Sequence, residues 1–154
     1  MDPTLRQPTD ADWPAILALV AAAAPESGAE NARWLEQRRR FDESGYPRRH
    51  HVAEDPSTGL LLAYAGVEAA PEPGLFRVVL VLPPPLLRDG LGAALYERLR
   101  ADMAELGATH AYLCERERDN DLLDFFAVRG FATTRRETLP DGEPCVVLES
   151  ALTE

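Results

Sequence analysis

Residues Leu80–Leu106 read LVLPPPLLRDGLGAALYERLRADMAEL, and this stretch decides the fold. Phe76 to Leu82 is rich in Val, Leu and Phe, which predicts a largely buried strand. Pro83, Pro84 and Pro85 stop it, because three residues without N–H groups cannot continue a sheet ladder. Leu91, Leu95, Leu99, Met103 and Leu106 then recur at helical spacing. A proline-broken turn and a glycine pair, Gly90 and Gly92, are therefore expected to join a strand to a helix.

The physical content of that junction is anion binding. The N–H groups in the first turn of a helix have no partner inside it, and the helix dipole adds positive potential there. Gly90 and Gly92 carry no Cβ, so a phosphate could approach the backbone closely. Arg88 could add a charge-assisted contact. Asp89 puts a carboxylate beside the same site, which is unfavourable unless it points away. The plainer reading of these residues is a strand-to-helix turn whose glycines serve packing.

Upstream, Thr4–Arg6 predicts a short strand. Thr9 to Asp12 resembles a capping box, and Trp13, Ile16, Leu17 and Val20 then form one apolar stripe with Pro14 near the first turn. Glu30–Phe41 predicts a second helix carrying Arg38, Arg39 and Arg40, whose charges, with acids nearby, read as a solvated face. Arg49–Ala53, Leu60–Glu68 and Phe76–Leu82 predict an antiparallel meander with turns at 55–59 and 71–74. Downstream the pattern changes to strand (Thr109–Glu115), helix (capped near Asp119, ended by Gly130), and strands at Phe131–Glu137 and Cys145–Glu149. Seven strands, no repeat and no linker predict one domain, residues 1–154.

The chain has 154 residues with 45% apolar content, enough for one core and too apolar for general disorder. Its net charge of −10 disfavours nucleic-acid binding, which needs clustered Lys and Arg. It suits solubility first and attraction of a cationic partner second. No apolar run is long enough to cross a bilayer, and no apolar block follows the first residues, so no membrane role and a cytoplasmic location are expected. Cys114 and Cys145 have no metal-ligand spacing and fit buried structural positions.

The stretch from Leu82 to Gly92 resembles the pyrophosphate loop of the GNAT N-acetyltransferase superfamily, V-x-P-x-x-[QR]-x-x-G-x-[GA]. Pro84, Gly90 and Gly92 match it, Leu82 stands for the Val, and Leu87 departs from Gln or Arg. A second stretch, DNDLLDFFAVRGF at Asp119–Phe131, resembles the family's N-x-x-A-x-x-F-Y-x-x-x-G-F. Phe125, Gly130 and Phe131 match, while Asp119 takes the Asn position, with Asn120 next to it. Arg6, Thr9 and Asp12 match the family's common opening R-x-x-T-x-x-D. The resemblance covers about Thr4 to Leu148, and it implies that Trp34, Tyr46 and the Arg38, Arg39 and Arg40 cluster could touch the acceptor. It implies an α/β chain of the α+β type, with a mixed seven-stranded central sheet, about four helices, and strands four and five splayed apart. It further implies acetyl-CoA as cosubstrate. The backbone of Leu80, Val81 and Leu82 would face its acetyl and pantetheine groups. Arg88, Asp89, Gly90, Leu91, Gly92 and Ala93 would receive the pyrophosphate, and Asn120 and Phe126 would border the cofactor.

The chemistry so implied is attack by an amine of a small molecule or peptide on a thioester. The amine must be neutral, so a base or water must take its proton. The oxyanion needs a donor, which a backbone N–H of the fourth strand would supply. Phe126 stands where the family often has a Tyr acid, and Phe has no O–H to give. Candidate bases are Glu115 and Glu68, with Glu117 beside them; a carboxylate at a strand end is more commonly solvent-exposed. Tyr96, Tyr112 and His51 are further candidates whose plainer role is packing. A non-catalytic acyl-CoA-binding or partner-binding domain is the alternative reading, and two chains could share a sheet edge as a homodimer.

Overall fold

The computed structural model describes residues 2–23, 47–138 and 142–152. Seven strands form one mixed sheet: β1 (Thr4–Arg6), β2 (Arg48–Glu54), β3 (Leu61–Ala69), β4 (Leu75–Val81), β5 (His110–Arg116), β6 (Ala132–Thr138) and β7 (Pro144–Ala151). Their order across the sheet is β1-β2-β3-β4-β5-β7-β6. All pairs are antiparallel except β4–β5, which is parallel. Among the described residues four α-helices flank the sheet: α1 (Trp13–Ala23), α2 (Pro84–Arg88), α3 (Leu91–Glu105) and α4 (Asn120–Ala127). The fold class read from the sequence is the one observed. The expected helix at 30–41, with Trp34, Arg38, Arg39 and Arg40, and also Tyr46, lie outside the described residues.

Helix α3 covers one face of the sheet. Leu95, Leu99 and Met103 are fully buried there, each worth roughly 1.5–3 kcal/mol of burial. Beneath them the strands present Ala53, Ala63 and Ala65, small residues that let the helix approach closely. Helix α1 covers the opposite face, where Ile16 packs on Val52 and Tyr64. The capping box forms: the Thr9 N–H donates to Asp12 Oδ2 at 2.6 Å. Arg6 donates to both Asp12 oxygens at 2.8 and 3.0 Å and to Glu54 at 3.3 Å, so the opening motif ties β1, α1 and β2 together. That bidentate bond holds the Asp12 carboxyl well below the usual carboxylate range.

One local expectation fails. Pro84 to Arg88 is a short helix and not a turn. Pro84 and Pro85 occupy its first turn, where a missing N–H breaks no helical bond. No helix among the described residues is long and apolar enough to cross a membrane.

Candidate functional site

The parallel strands β4 and β5 meet at one end only. Leu75, Phe76 and Arg77 pair with His110, Ala111 and Tyr112, and there the ladder stops. Beyond it β4 stays paired with β3 as far as Val81, and β5 stays paired with β7 as far as Arg116. Each strand keeps its outer neighbour, so the two diverge and leave a wedge of backbone between them.

A cavity of about 670 Å³ lies at the mouth of that wedge. Its size falls in the range of small-molecule clefts. Val81, Leu82, Pro83 and Pro84 form one wall, Leu19 and Ala22 of α1 a second, and Leu87 closes the base. The segment from Arg118 to Leu122, which leads from β5 into α4, forms the polar wall. Three of the residues expected at a cofactor site, Val81, Leu82 and Asn120, are therefore brought together. Leu80 turns its side chain into the core, leaving only its backbone near the wedge.

The glycine loop divides into two roles. Arg88, Asp89 and Gly90 are exposed at the α2–α3 joint. Gly90 has φ +93°, a left-handed conformation natural to glycine, and open space surrounds its missing Cβ. It leads directly into the first turn of α3, where Leu91, Gly92 and Ala93 carry the unpartnered N–H groups of a helix start. Gly92 itself faces inward. A Cβ there would meet Leu87 Cδ1 at 2.5 Å and Phe125 Cε2 at 3.3 Å, so its missing side chain serves packing and not phosphate approach. Leu87 departs from the loop pattern because it fills that space as a core residue. Arg88 Nη1 reaches Asp121 Oδ2 at 4.0 Å across the joint.

Phe126 is core as well. It is 1% exposed, and its ring packs edge-on against Phe131 at 5.2 Å and Tyr96 at 5.9 Å. Tyr96 belongs to the same aromatic group, where burial pushes its phenol pKa up. His51, a candidate for the acceptor side, turns to the other face and contacts Asp102 of α3 at 2.6 Å through Nε2. Glu117 pairs with Arg136 at 2.8 Å.

The two candidate bases are not surface carboxylates. Glu68 is 4% exposed, in the α1 face of β3. Glu115 is half-buried on β5 just past the last β4–β5 pair. Desolvation pushes its pKa up to about 8, with Asp119 adding to the rise and Arg77 and Arg116 opposing it. Asp119, on the cavity's polar wall, is also raised, chiefly by desolvation. Cys114 Sγ lies 3.2 Å from Cys145 Sγ, and burial pushes the Cys114 thiol up to about 12, which removes it as a nucleophile at neutral pH. No group of ligating residues that could hold a metal ion occurs among the described residues.

Two features escaped the sequence reading. Arg77 stands alone in the apolar run LFRVVLV, and that isolation was its signal. Under α1, Arg48 Nε donates to His50 Nε2 at 2.6 Å, which leaves the His50 proton on Nδ1, 2.6 Å from Tyr64 Oη. Gly66 makes room for this chain, since a Cβ would sit 3.0 Å from Tyr64 Oη. Arg48 lies two residues from His50 on the same strand, but Tyr64 comes from the neighbouring strand, which no local pattern reveals.

No family model matches the sequence, and no curated protein matches it. Solved structures do. Ard1 from Thermoplasma volcanium matches with 16% identity and a TM-score of 0.78 over 100% of both chains. A GCN5-related N-acetyltransferase from Kribbella flavida matches with 22% identity and a TM-score of 0.73 over 98% of both chains. The protein yncA from Salmonella typhimurium, solved with its cofactor acetyl-CoA, matches with 18% identity and a TM-score of 0.72 over 100% of this chain and 96% of its own.

Proposed function

The chain has the fold of the GNAT N-acetyltransferases, and from that premise we propose that it is an acetyl-CoA-dependent N-acetyltransferase acting on a primary amine of a small molecule or peptide. The observation that carries the reading is the cavity at the parted end of β4 and β5, walled by Val81, Leu82 and Asn120. The residues fit the cosubstrate. A strand edge without a partner suits an amide-bearing arm, and the left-handed Gly90 opening α3 leaves its N–H groups accessible to a pyrophosphate. Acetyl-CoA would supply the activated acyl group.

Chemistry then falls to few side chains. Glu115 borders the wedge with a carboxyl titrating at about 8, which suits a group that takes a proton from an ammonium near neutral pH. The amine attacks the thioester carbon by direct transfer. A backbone N–H of β4 past its last pair with β5 would donate to the oxyanion. Phe126 cannot protonate the departing thiolate, and that proton comes from solvent. The acceptor enters from the α1 side, where Leu19 and Ala22 line the cavity.

The deciding experiment is calorimetric titration with acetyl-CoA and CoA, followed by an amine screen read by mass spectrometry. Saturable binding and an acetylated amine are expected. A folded protein that binds neither ligand would sink the reading. The carboxylates Asp119 and Asp121 on the cavity wall and the missing acid at Phe126 favour a second reading, a non-catalytic acyl-CoA-binding domain. It would show binding with no turnover on any amine. β6, the outer strand of the sheet, exposes all seven of its side chains and is the edge through which a homodimer would form.

A further inference from the structure

Two charged side chains stand where β4 and β5 part, and they do not close on each other. Arg77 is the last residue of β4 with a partner on β5. It is half-buried, and it makes no ion pair or hydrogen bond with any described residue. Glu115, three residues past Arg77's partner Tyr112, is half-buried and likewise without such a bond among the described residues, and it lies on the other face of the sheet, in line with Ala111 and Leu113 and opposite Val146.

Register fixes the surroundings of Arg77. Arg48 lies opposite Glu68, Glu68 opposite Arg77, and Arg77 opposite Tyr112. Residues directly opposite share a face, with Cβ atoms about 5 Å apart. These four form a row across four strands on the α1 face, because they alternate with Ala65, Val67, Phe76 and Val78 on the α3 face. The row sets the guanidinium groups of Arg48 and Arg77 on either side of the Glu68 carboxylate, and Arg48 and Glu68 each engage a further group besides. A guanidinium drawn partly out of water without a partner is costly, and an anion relieves the cost.

That anion is not the cofactor's pyrophosphate. Four residues of strand, at roughly 3.3 Å each, put Arg77 about 13 Å from Val81, where β4 reaches the glycine loop. What remains at the parting point is the acceptor. An amine alone would bring a second cation to Arg77. We propose that the acceptor is an α-amino acid or a close analogue, its carboxylate held by Arg77 on the α1 face and its amine turned into the wedge, which Glu115 borders from the α3 face. Arg77 is then the specificity-determining residue, its planar fork matched to a carboxylate. In the transfer an N–C bond forms between the amine nitrogen and the acetyl carbon, and the C–S bond breaks. The amine proton leaves through Glu115, and the thiolate takes one from solvent. The inference rests on the acetyltransferase reading and adds the acceptor's chemical class.

The test uses pairs that differ only in the carboxylate: leucine with isoamylamine, phenylalanine with phenethylamine, lysine with cadaverine. Each is offered with acetyl-CoA to the wild type, Arg77→Gln and Arg77→Lys, and acetylated product is counted by mass spectrometry. At least one amino acid should exceed its partner about ten-fold or more in kcat/KM, the worth of a charge-assisted bond. Arg77→Gln should bring the two within about two-fold while its melting temperature and acetyl-CoA affinity hold, and Arg77→Lys should fall between. Equal or better use of the bare amines, or a preference that survives Arg77→Gln, overturns the inference and leaves the acetyltransferase reading standing. Bound acetyl-CoA with no pair acetylated overturns it too. If acetyl-CoA fails to bind, that reading falls by its own titration. Calorimetry with the same six compounds then decides for Arg77: amino-acid binding lost in Arg77→Gln upholds its role, and no difference removes it.

Discussion

The two ends of the β4–β5 pair are built to opposite purposes. At the closed end, Gly74 accepts from the N–H groups of Thr109 at 2.8 Å and His110 at 3.1 Å, clasping the starts of both strands. Three residue pairs follow. At the open end the same strands turn from each other, each held by its outer neighbour; Arg77 and Glu115 stand where they part, and the cavity lies farther along, at Val81 and Leu82. On the proposed reading, stability is concentrated where the backbone is paired and chemistry where it is not. The contrast yields a sharp expectation: damage at the closed end should unfold the protein, and damage at the open end should silence it.

The largest effect is expected at Glu115. As the base it works only when ionised, so kcat/KM should rise with pH through about 8 and then level off. Glu115→Gln should lower kcat/KM roughly 10²-fold and remove that rise. Stability should move the other way. The folded carboxyl holds its proton up to about 8, while the unfolded one loses it near 4.5, so stability falls as pH climbs between those values. Denaturant melts across this window should slope downward in the wild type and run flatter in Glu115→Gln. A rate profile unchanged by the substitution would take Glu115 out of the mechanism.

Gly74→Val tests the closed end. Gly74 has φ +80°, and a Cβ there would meet Thr109 Oγ1 at 2.5 Å. Backbone strain and the clash together should cost roughly 2–4 kcal/mol in urea unfolding, with acetyl-CoA affinity of the folded fraction little changed. Asn120→Trp makes the converse change. Asn120 is exposed on the cavity wall, so the indole should fill the mouth, weaken acetyl-CoA about ten-fold or more, and leave the melting temperature nearly unmoved. If Gly74→Val abolished binding in folded protein, or Asn120→Trp unfolded the chain, the division of labour between the two ends would be lost.

Much of this was legible in residues 80–106. Alternation, a proline stop and i, i+4 leucines are local signals, and they fixed strand, break and helix. The same local grammar misread Pro84 to Arg88, because prolines at a helix start look like prolines that end a strand. The site was less legible for a different reason. Glu68 and Glu115 read as strand-end carboxylates, and only the tertiary fold takes them out of water, Glu68 on the α1 face of β3 and Glu115 just past the last β4–β5 pair. His51 gave no hint that its partner, Asp102, lies 51 residues away on a helix. Arg77 was visible as a lone charge among apolar residues, but its meaning depends on where β5 leaves β4.

Gly92 shows the same limit in one atom and gives the smallest expected effect. Its spacing from Gly90 matches a phosphate loop, yet the two glycines face different ways. Gly90 opens outward at φ +93°, and Gly92 abuts Leu87 and Phe125 inside the core. Gly92→Ala should therefore act on stability before it acts on the cofactor. The contact at 2.5 Å is with the end of a flexible side chain, so the cost should be about 1–2 kcal/mol, the low range for overpacking. Leu87→Val should relieve it, and the double variant should be more stable than the sum of the single changes allows, because the two residues share one space. Acetyl-CoA affinity should stay within about two-fold throughout, well below the tenfold step that 1.4 kcal/mol would bring. An additive cycle, or a cofactor site lost without loss of stability, would return Gly92 to the phosphate-contacting role that its spacing first suggested.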